Sequence, residues 1–416
     1  MPETTSTSAR IAVVGAGVAG LSSALYLHRL GHAVTVFERF REAHPVGSGL
    51  MLQPTGMSVL HDLGLLDDVL QLGQRITGLL GHDARSGRKI LDVTYRDRRF
   101  GLGVNRAALF QVLFDAVGAA NIPIETASEI ARTEASAGRV WLVDRQWRRL
   151  DEAFDLVVDA AGVRSPLRDP TDPDAVARAF AYGAFWATLR LPATGFAFDR
   201  LEQRYERASV MIGVMPAGRT MPGSAHTCAF FWSLKTADVQ AVREAGLAAW
   251  KARVHALWPA TTPLLEQIAS FSDLAVAEYV HLTLRRPYHG GVVHVGDSAH
   301  ATSPQLGQGA NMALLDARAL AHAMASNRPL AEVGPLYARS RSRHVHFFQL
   351  ASRALTPFYQ SDSHLIPWLR DGLVATVAKV PPVPAMLSGL VAGTLVDPFK
   401  PIGLKEIQGL ATVPSR

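Results

Sequence analysis

Two glycine-rich turns and two acidic residues have the types and spacing that indicate chemistry. The first turn is GAGVAG at residues 15–20, and Glu38 follows it at the end of a short apolar run. The second is GDSAHATSPQLGQGAN at residues 296–311, with Asp297 near its start. Glycine lets a ligand approach the backbone closely, and a carboxylate accepts hydrogen bonds from hydroxyl groups. Together these features predict a site for a phosphorylated ligand that carries sugar hydroxyls.

The elements around the first turn form a complete strand–helix–strand unit. The β-branched run at 11–14 is typical of a buried parallel strand, residues 21–30 repeat apolar side chains at helical spacing, and 33–37 form a second strand. In such a unit Gly15 permits the tight turn, Gly17 lets the backbone approach a pyrophosphate, and Gly20 allows helix and strand to pack closely. The helix N-terminus then attracts the phosphates.

The acid at the end of the second strand selects among dinucleotides. We expect the Glu38 carboxylate to accept hydrogen bonds from adenosine ribose hydroxyls and to repel a 2′-phosphate, which makes NADP a poor occupant. Ala19 in the turn and Arg39 beside the acid belong to the same predicted site. The unit therefore predicts dinucleotide binding, and it leaves NAD and FAD both open.

The rest of the chain alternates between two kinds of predicted structure. Residues 77–94 indicate two strands joined by a turn, and 171–284 contain aromatic-rich alternating runs typical of an antiparallel sheet. Buried strands at 154–158 and 292–295 and helices over 107–117 and 310–324 have parallel-sheet character. The predicted fold class is α/β: a Rossmann-type cofactor-binding fold interleaved with an antiparallel β-sheet substrate domain and followed by a C-terminal helical segment.

This pattern divides the chain into three predicted parts. The predicted division is a discontinuous cofactor domain at 1–76, 100–170 and 285–345, a sheet domain at 77–99 and 171–284, and a C-terminal helical region at 346–416.

The second glycine-rich run is the strongest single motif. It has the following residues at fixed offsets: Gly296, Asp297, His300, Pro304, Gly307, Gln308, Gly309 and Asn311. Together with GAGVAG and Glu38, this pattern resembles the group A flavoprotein monooxygenases of the para-hydroxybenzoate hydroxylase type, over residues 11–320 or so. The resemblance implies a Rossmann-type FAD-binding fold, bound FAD, and NAD(P)H as a transient co-substrate.

Physical chemistry gives this loop a role at the redox end of FAD. Asp297 can accept a hydrogen bond from a ribityl hydroxyl, which FAD has and NAD lacks, although it could also cap a turn. Gly307 and Gly309 let the backbone pass close to a flat ring. The helix that starts at Ala310 directs positive charge toward the flavin N1 and C2 carbonyl, where the reduced ring is negative. Asn311 completes this part of the predicted site.

Two further residues take their roles from the resemblance. Pro304 is expected to border the substrate cavity, and Arg106 occupies the place of a family arginine near the cofactor phosphate and ribityl chain. From the residues alone, Arg106 could equally be a surface ion-pair partner. His300 is expected to serve the loop. No catalytic residue is assigned: Tyr182 and His226 could deprotonate a phenol, but nothing in the sequence fixes them near the flavin.

One segment departs from the family pattern. The family usually has Gly-Ala-Asp-Gly, whose aspartate contacts both FAD and NAD(P)H. This chain has DAAG at 159–162, so Ala161 stands where the aspartate is expected. Asp159 could substitute in part or could simply end its strand. FAD binding is unaffected by this exchange, whereas the use of NAD(P)H is left open.

The predicted function is that of an FAD-dependent monooxygenase. By resemblance, it would use NAD(P)H and O₂ to hydroxylate or epoxidise an aromatic or polycyclic small molecule through a C4a-hydroperoxyflavin. The alternative enzyme is an FAD-dependent dehydrogenase or oxidase whose substrate reduces the flavin, and a non-catalytic FAD carrier or an NAD dehydrogenase are further alternatives. Alternating apolar runs must bury one face, which favours a core role for the candidate pocket residues; these are Tyr182, Phe185, Trp186, Met211, Met215, His226, Phe230 and Trp232.

Composition excludes several other classes. The chain of 416 residues has 42 Lys and Arg against 36 Asp and Glu, but no long run of like charge, which argues against nucleic-acid binding. The single cysteine, Cys228, excludes an internal disulfide framework and a cysteine-rich metal site, and no metal is expected. The longest apolar stretch, 373–396, is interrupted by Lys379 and prolines, so no transmembrane segment is predicted. We expect a cytoplasmic monomer or homodimer.

Overall fold

Two large β-sheets organise the chain in the computed structural model, which describes residues 8–42, 48–363 and 380–408. The helices are α1 (Val18–Arg29), α2 (Pro54–Asp62), α3 (Leu66–Leu72), α4 (Arg106–Ala119), α5 (Val239–Ala245), α6 (Leu247–Leu257), α7 (Thr262–Leu265), α8 (Gly309–Met324), α9 (Leu330–Tyr359) and α10 (Val383–Ala392).

The strands follow the alternation that the sequence predicts. They are β1 (Arg10–Val14), β2 (Ala33–Phe37), β3 (Gly49–Leu52), β4 (Gln74–Ile76), β5 (Gly78–Asp83), β6 (Lys89–Thr94), β7 (Gly101–Asn105), β8 (Ile124–Glu125), β9 (Ile130–Ser136), β10 (Arg139–Asp144), β11 (Arg149–Phe154), β12 (Leu156–Asp159), β13 (Arg178–Arg190), β14 (Arg200–Glu206), β15 (Val210–Gly218), β16 (Thr227–Lys235), β17 (Ala275–His281), β18 (Tyr288–His289) and β19 (Val292–His294).

The parallel sheet has the order β18-β19-β12-β1-β2-β8, and only the outer β18–β19 pair is antiparallel. Its central strands are apolar on both faces because helices cover them, and β1 is buried from Ile11 to Val14. The largest apolar core lies between this sheet and α1, α4 and α8. This order places the carboxyl ends of β1 and β12 side by side, where the first glycine-rich turn begins.

The second sheet has seven strands in the order β17-β13-β16-β15-β14-β5-β6. All neighbours are antiparallel except β14 and β5. Helices α5 to α7 cover one face through a core that includes Trp250 and Leu264. A smaller sheet, β3-β7-β4, joins the two layers. The α/β fold with an interleaved antiparallel layer and a helical C-terminal segment is therefore confirmed.

Two details differ from the pattern expected along the sequence. The apolar spacing of residues 60–70 predicts one helix through this stretch, but the stretch is split between α2 and α3, because Gly64 adopts a φ of +70° between them. Helix α9 runs across residue 346, where the C-terminal region is predicted to begin. The domain boundaries themselves stay a prediction, and the parts of the C-terminal region at 364–379 and 409–416 lie outside the described residues.

Within the described ranges, no helix combines the length and the apolar character required to cross a membrane.

Candidate cofactor and substrate site

The first glycine-rich turn has close backbone contacts on one side and space on the other. Gly15 has a φ of +106°, and a side chain there would meet the Ala160 carbonyl oxygen at 2.5 Å. At Gly20 an added Cβ would lie 1.8 Å from the Gly15 carbonyl oxygen, so α1 can approach the turn only with glycine. Gly17 is exposed, and nothing lies within 4 Å of an added Cβ. The turn thus leaves room for a ligand beside Gly17.

The predicted ribose acceptor helps to shape the same turn. Glu38 is buried, and its carboxylate accepts hydrogen bonds from the Ala16 amide at 2.8 Å and the Phe40 amide at 3.1 Å. A carboxylate has about four acceptor positions, so both oxygens keep capacity for a hydroxyl. The Arg39 guanidinium is exposed and lies 4.6 Å from the centre of the Phe40 ring. Glu38 therefore lies against the first turn, and Arg39 follows it at the surface.

The second motif folds against the first, although they are far apart along the chain. An added Cβ at Gly296 would lie 3.0 Å from the Ala19 Cβ in α1. Gly307 adopts a left-handed φ of +60°, which ends a short 3₁₀ turn that begins at Pro304. Gly309 starts α8 and is exposed, with nothing within 4 Å of an added Cβ. The N-terminus of α8 therefore faces free space, as a bound ring requires.

Asn311 positions this loop from inside the protein. Its side chain is fully buried and accepts a hydrogen bond from the Gln53 amide at 2.8 Å. Its amide nitrogen donates to the Met51 carbonyl at 3.1 Å and to the Gly307 carbonyl at 3.0 Å. These bonds join the loop to β3. Its predicted place in the site is thus that of a positioning residue, next to Ala310 in the first turn of α8.

Arg106 and Asp297 share one electrostatic environment. Both side chains are exposed. The protein around Asp297 raises the pKa of its carboxyl by desolvation, while the positive charges of His300 and Arg106 oppose that rise. Because Arg106 acts on Asp297, the first helix residue of α4 and the second motif lie near each other. The predicted roles of the two residues, an anion-binding group and a hydroxyl acceptor, are compatible with this proximity.

A buried charge cluster that the sequence analysis missed holds the start of the second motif. The Asp316 carboxylate in α8 is fully buried and accepts from the Gly296 amide at 2.8 Å, from His300 Nε2 at 2.5 Å and from Arg341 Nε at 2.7 Å. His300 therefore serves the loop, as expected. The acid follows Asn311 by five residues, but only the fold brings Arg341 of α9 to it.

Helix α9 also fixes the segment around Pro304. Thr302 donates a hydrogen bond to Ser352 at 2.7 Å, and the hydroxyls of Ser303 and Thr356 lie 2.9 Å apart. Pro304 itself is half-buried. The loop that is predicted to border the substrate is thus held from outside by hydroxyl groups of one helix.

The two faces of the antiparallel sheet separate the candidate pocket residues. Phe185, Phe230 and Trp232 are fully buried in the core under α5 to α7, and Phe185 and Trp232 contact Trp250 edge to face. The prediction that these three residues line the pocket is wrong. Alternate residues of a strand point to opposite faces of the sheet, and these three lie on the face that α5 to α7 cover.

The opposite face turns toward the cofactor loop. Trp186, Met211 and Met215 belong there, in one apolar cluster with Met51 and Phe231. An added Cβ at Gly49 of β3 would contact the Met215 side chain at 3.4 Å, and one at Gly307 would lie 4.0 Å from the Met51 Cβ. This sulfur- and aromatic-rich wall, which we call the apolar wall, therefore adjoins the second motif.

The two proposed phenol bases have different surroundings. The Tyr182 hydroxyl donates to Asp362 at 2.8 Å, and burial followed by that carboxylate raises the pKa of Tyr182. His226 lies beside Phe198 at the far end of the sheet, where burial and the charge of Arg219 lower its pKa. No contact of either residue with the cofactor loop is found in the described part of the chain.

Asp159 is enclosed and cannot take the place of the missing acid at 161. Its carboxylate is fully buried and accepts from the Ala161 amide at 3.0 Å, from Ser165 at 2.7 Å and from His294 Nδ1 at 2.6 Å. Of the two alternatives, the strand end is the one observed. His289, which lies 3.2 Å from His294 Nε2, lines a cavity of about 730 Å³ whose walls include none of the predicted cofactor residues.

These features fit FAD better than a smaller dinucleotide. The first turn provides an open glycine, a helix N-terminus and the buried Glu38 carboxylate, and the second provides the exposed Asp297 carboxylate and an open helix N-terminus beside an apolar wall. A ligand that uses both needs an adenylate at one end and a flat, partly anionic ring at the other. The fold and the site thus define an FAD-dependent oxidoreductase.

Comparison with known proteins gives the family. The model of the FAD binding domain family matches residues 8–329, and the chain belongs to this family of flavoprotein monooxygenases. It is similar to FAD-dependent urate hydroxylase of Klebsiella pneumoniae, with 25% identity over 350 residues, 82% of this chain and 88% of the relative. It is also similar to 6-methylpretetramide 4-monooxygenase of Streptomyces rimosus, with 29% identity over 334 residues, 74% of this chain and 73% of the relative.

Solved structures show the same fold. The tetrameric form of 2-methyl-3-hydroxypyridine-5-carboxylic acid oxygenase superposes with a TM-score of 0.77 at 20% identity, over 96% of this chain and 99% of that chain. Klebsiella pneumoniae HpxO complexed with FAD and uric acid gives a TM-score of 0.76 at 20% identity, over 93% and 98%. The predictions of the family, of bound FAD and of an oxidoreductase are confirmed, while the roles of individual site residues stay predictions.

Proposed function

We propose that this chain uses NAD(P)H and O₂ to hydroxylate or epoxidise an aromatic or polycyclic small molecule. The observation that carries the proposal is the apolar wall, which the fold sets beside the Gly307–Gly309 turn. Relatives named FAD-dependent urate hydroxylase, 6-methylpretetramide 4-monooxygenase and 2-heptyl-3-hydroxy-4(1H)-quinolone synthase support a flat, electron-rich ring as the substrate. We also infer a cytoplasmic location, because one cysteine suits a reducing compartment.

The two glycine-rich turns would bind different parts of FAD. Glu38 and the amides near Gly17 would hold the ribose and pyrophosphate, Asp297 the ribityl chain, and the N-terminus of α8 the ring edge. When bound, FAD supplies the electron storage and the oxygen-transfer chemistry. The protein would position the substrate ring, exclude water and stabilise negative charge.

The apolar wall argues for a substrate that lacks a full charge on the buried side. Met51, Met211 and Met215 are flexible and polarizable, so they adapt to rings of different outline. The rings of Phe231 and Trp186 lie 4.7 Å apart between centroids, tilted by 36°, and present a rigid surface beside them. Such a surface favours a ring system of two or more fused rings over a small hydrophilic acid.

A second candidate function rests on residue 161. Because Asp159 is enclosed and Ala161 has no carboxylate, the chain lacks the acid that family members direct at both FAD and NAD(P)H. This observation favours a dehydrogenase or oxidase whose substrate itself reduces the flavin. When bound, FAD would supply the hydride acceptor for such a substrate, and O₂ would be the terminal electron acceptor of the oxidase.

Anaerobic mixing distinguishes the two functions. Purified holoenzyme would be mixed with NADH or NADPH, with and without a panel of phenolic and polycyclic compounds, while the flavin's visible absorbance is recorded. Bleaching by NAD(P)H that a panel compound accelerates supports the monooxygenase. Bleaching by a panel compound alone supports the dehydrogenase, and it contradicts the first proposal.

A further inference from the structure

A cavity of about 350 Å³ lies between strand β13 and the C-terminal end of helix α9. Phe180 and Tyr182 line it from the strand, and Thr356, Gln360 and Ser361 line it from the helix and the residues after it. Sites for small molecules have volumes of about 300–1,000 Å³, so this cavity can hold one chemical group of a larger ligand. Its described walls include none of the predicted cofactor residues.

Two observations place this cavity beside the apolar wall and the loop at Pro304. Strand β13 pairs with β16 in regular register, so Tyr182 points to the same face of the sheet as Trp186 of the wall. The Thr356 hydroxyl lies 2.9 Å from that of Ser303, the residue before Pro304. Tyr182 and Trp186 are four residues apart, which is about 13 Å along a strand. A ligand of about this length can therefore reach from the wall into the cavity.

The polar atoms at the cavity include a buried acceptor without a partner. Gln360 is 7% exposed, and its Oε1 has no hydrogen-bond partner in the part of the chain that the structure describes. Ser361 Oγ is buried and unpartnered in the same way. The backbone here is fixed, because the Gln360 amide donates to the Thr356 carbonyl at 2.8 Å and the Ser361 amide donates to the Ala208 carbonyl at 3.0 Å. An unpaired buried acceptor destabilises a fold, so this arrangement favours a ligand that donates to it.

The charges at the cavity limit the chemistry of that donor. Asp362 already accepts from the Tyr182 hydroxyl at 2.8 Å and from Lys235 at 2.8 Å. Arg353 also lines the cavity, and its positive charge would repel a cationic ligand. A carboxylate ligand has no proton for Gln360 Oε1. An uncharged amide satisfies both ends of the glutamine, because it offers an N–H group to the oxygen and a carbonyl group to the NH₂.

We propose that Gln360 binds an uncharged amide group, a carboxamide or a lactam, at the far end of an elongated aromatic substrate whose ring lies at the apolar wall. The inference rests on the proposed function, and it adds the length of the substrate and the polar group that the substrate carries. Gln360 contacts a part of the substrate that does not react, so it determines specificity and takes no part in the oxygen transfer.

Binding to the oxidised holoenzyme tests the proposal without turnover. The probes are 2-naphthyl alkanamides with two to five methylene groups between ring and carbonyl, each beside the methyl ketone of the same shape, in which CH₃ replaces NH₂. Flavin absorbance changes report the affinity of each probe. We expect wild type to bind the amide about tenfold or more tightly than the ketone for at least one chain length. Gln360→Leu should abolish this preference, because leucine has no acceptor for the N–H group.

Thermal unfolding separates recognition from a structural role. Leucine has nearly the volume of glutamine and removes the unpaired acceptor, so Gln360→Leu should keep or raise the Tm of the holoenzyme. Its FAD dissociation constant should stay within about twofold of wild type. The control is Gln240→Leu, which changes an exposed glutamine of α5 and should alter the preference by less than about twofold.

Three results would overturn the proposal. The first is a wild type that prefers the amide at no chain length, which would mean that only water occupies the cavity. The second is a Gln360→Leu variant that keeps the preference. The third is a lowered Tm of this variant with equal losses of affinity for amide and ketone, which would show a structural glutamine. Loss of the proposed function is separate, because it appears only in reduction by NAD(P)H and in oxygen consumption.

Discussion

Replacing Asp316 by asparagine removes a negative charge at the centre of the cluster that holds the second motif. The carboxylate is fully buried and accepts from Gly296, His300 and Arg341. Asparagine has nearly the same volume, but an NH₂ group replaces one of the two carboxylate oxygens. This NH₂ group would face a hydrogen-bond donor and could not accept from it. The Arg341 guanidinium, itself buried, would lose the carboxylate opposite it. We therefore expect a large loss of stability from a nearly isosteric change.

The size of that loss follows from the burial. Removing one partner of a buried ion pair destabilises a protein by about 3–5 kcal/mol, because the other charge is left uncompensated. In a chain of 416 residues that corresponds to a fall in Tm of roughly 3–6 °C, because the entropy of unfolding grows with chain length. The freed Gly296 amide should also loosen the loop at Asp297 and weaken FAD binding.

The pH dependence gives an independent check on the same carboxyl. Burial raises the pKa of Asp316, but the charges and hydrogen bonds of His300 and Arg341 outweigh it and hold the value at about 2. A folded-state pKa below the ordinary value near 4 means that the carboxylate stabilises the protein at and above about pH 4. That contribution is lost as the pH falls from about 4 to 2. The difference between wild type and Asp316→Asn should shrink over this window.

Thermal and urea unfolding, followed by circular dichroism and flavin fluorescence, measure both effects. The control is Asp115→Asn, an exposed acid on α4 that accepts only from Gln111 in the described hydrogen bonds, and its stability should stay within about 0.5 kcal/mol of wild type. An Asp316→Asn protein that unfolds within about 1 kcal/mol of wild type at neutral pH and retains FAD would show that the cluster does not hold the loop.

Three further changes test the cofactor site and the C-terminal segment. Gly17→Ala should fold normally, because nothing lies within 4 Å of the new Cβ, but it should weaken FAD binding about tenfold or more in a fluorescence titration. Gly20→Ala should instead lower Tm, because its Cβ would lie 1.8 Å from a carbonyl oxygen. Equal effects of the two changes on FAD binding and on Tm would refute the assignment. Glu38→Ala should weaken FAD binding while removing the Ala16 contact, and unchanged affinity would speak against a ribose acceptor. Arg99→Ala removes two hydrogen bonds to the Glu406 carboxylate and should lower the free energy of unfolding by about 1 kcal/mol. It should also speed proteolysis of the C-terminal segment, and an unaltered digestion rate would contradict this.

The parts of the site that could be predicted from sequence are those with local signals. A strand, a glycine turn and a helix follow each other within a few residues, so GAGVAG and the run from Gly296 to Asn311 define their own backbone. Their meeting is also predictable, because parallel strands bring their carboxyl ends to one edge of the sheet. The structure places Gly296 against Ala19, as that rule requires.

The parts that could not be predicted depend on partners distant in sequence. The alternation in β13 and β16 separates two faces, but it does not say which face α5 to α7 cover, and for that reason Phe185 and Trp186 could not be told apart. The partner of Trp186 is Tyr279, 93 positions away. No local sequence pattern marks Arg341, and only the packing of α9 on α8 brings it to the buried Asp316 carboxylate.

At residues 159–161 the acid that stabilises the fold of the site is a different residue from the one that, by resemblance, would contact a reductant. Asp159 binds Ser165 and His294 through side chains and Ala161 through the backbone, and Ser298 donates to its carbonyl at 2.6 Å. These bonds fix the backbone beside Gly15 without any group that faces the cleft. In the pattern that the resemblance implies, one aspartate contacts both FAD and the incoming NAD(P)H. Here an internal histidine–carboxylate pair stabilises the backbone beside the turn and residue 161 carries no carboxylate, so if NAD(P)H is the reductant, other residues would have to recognise it.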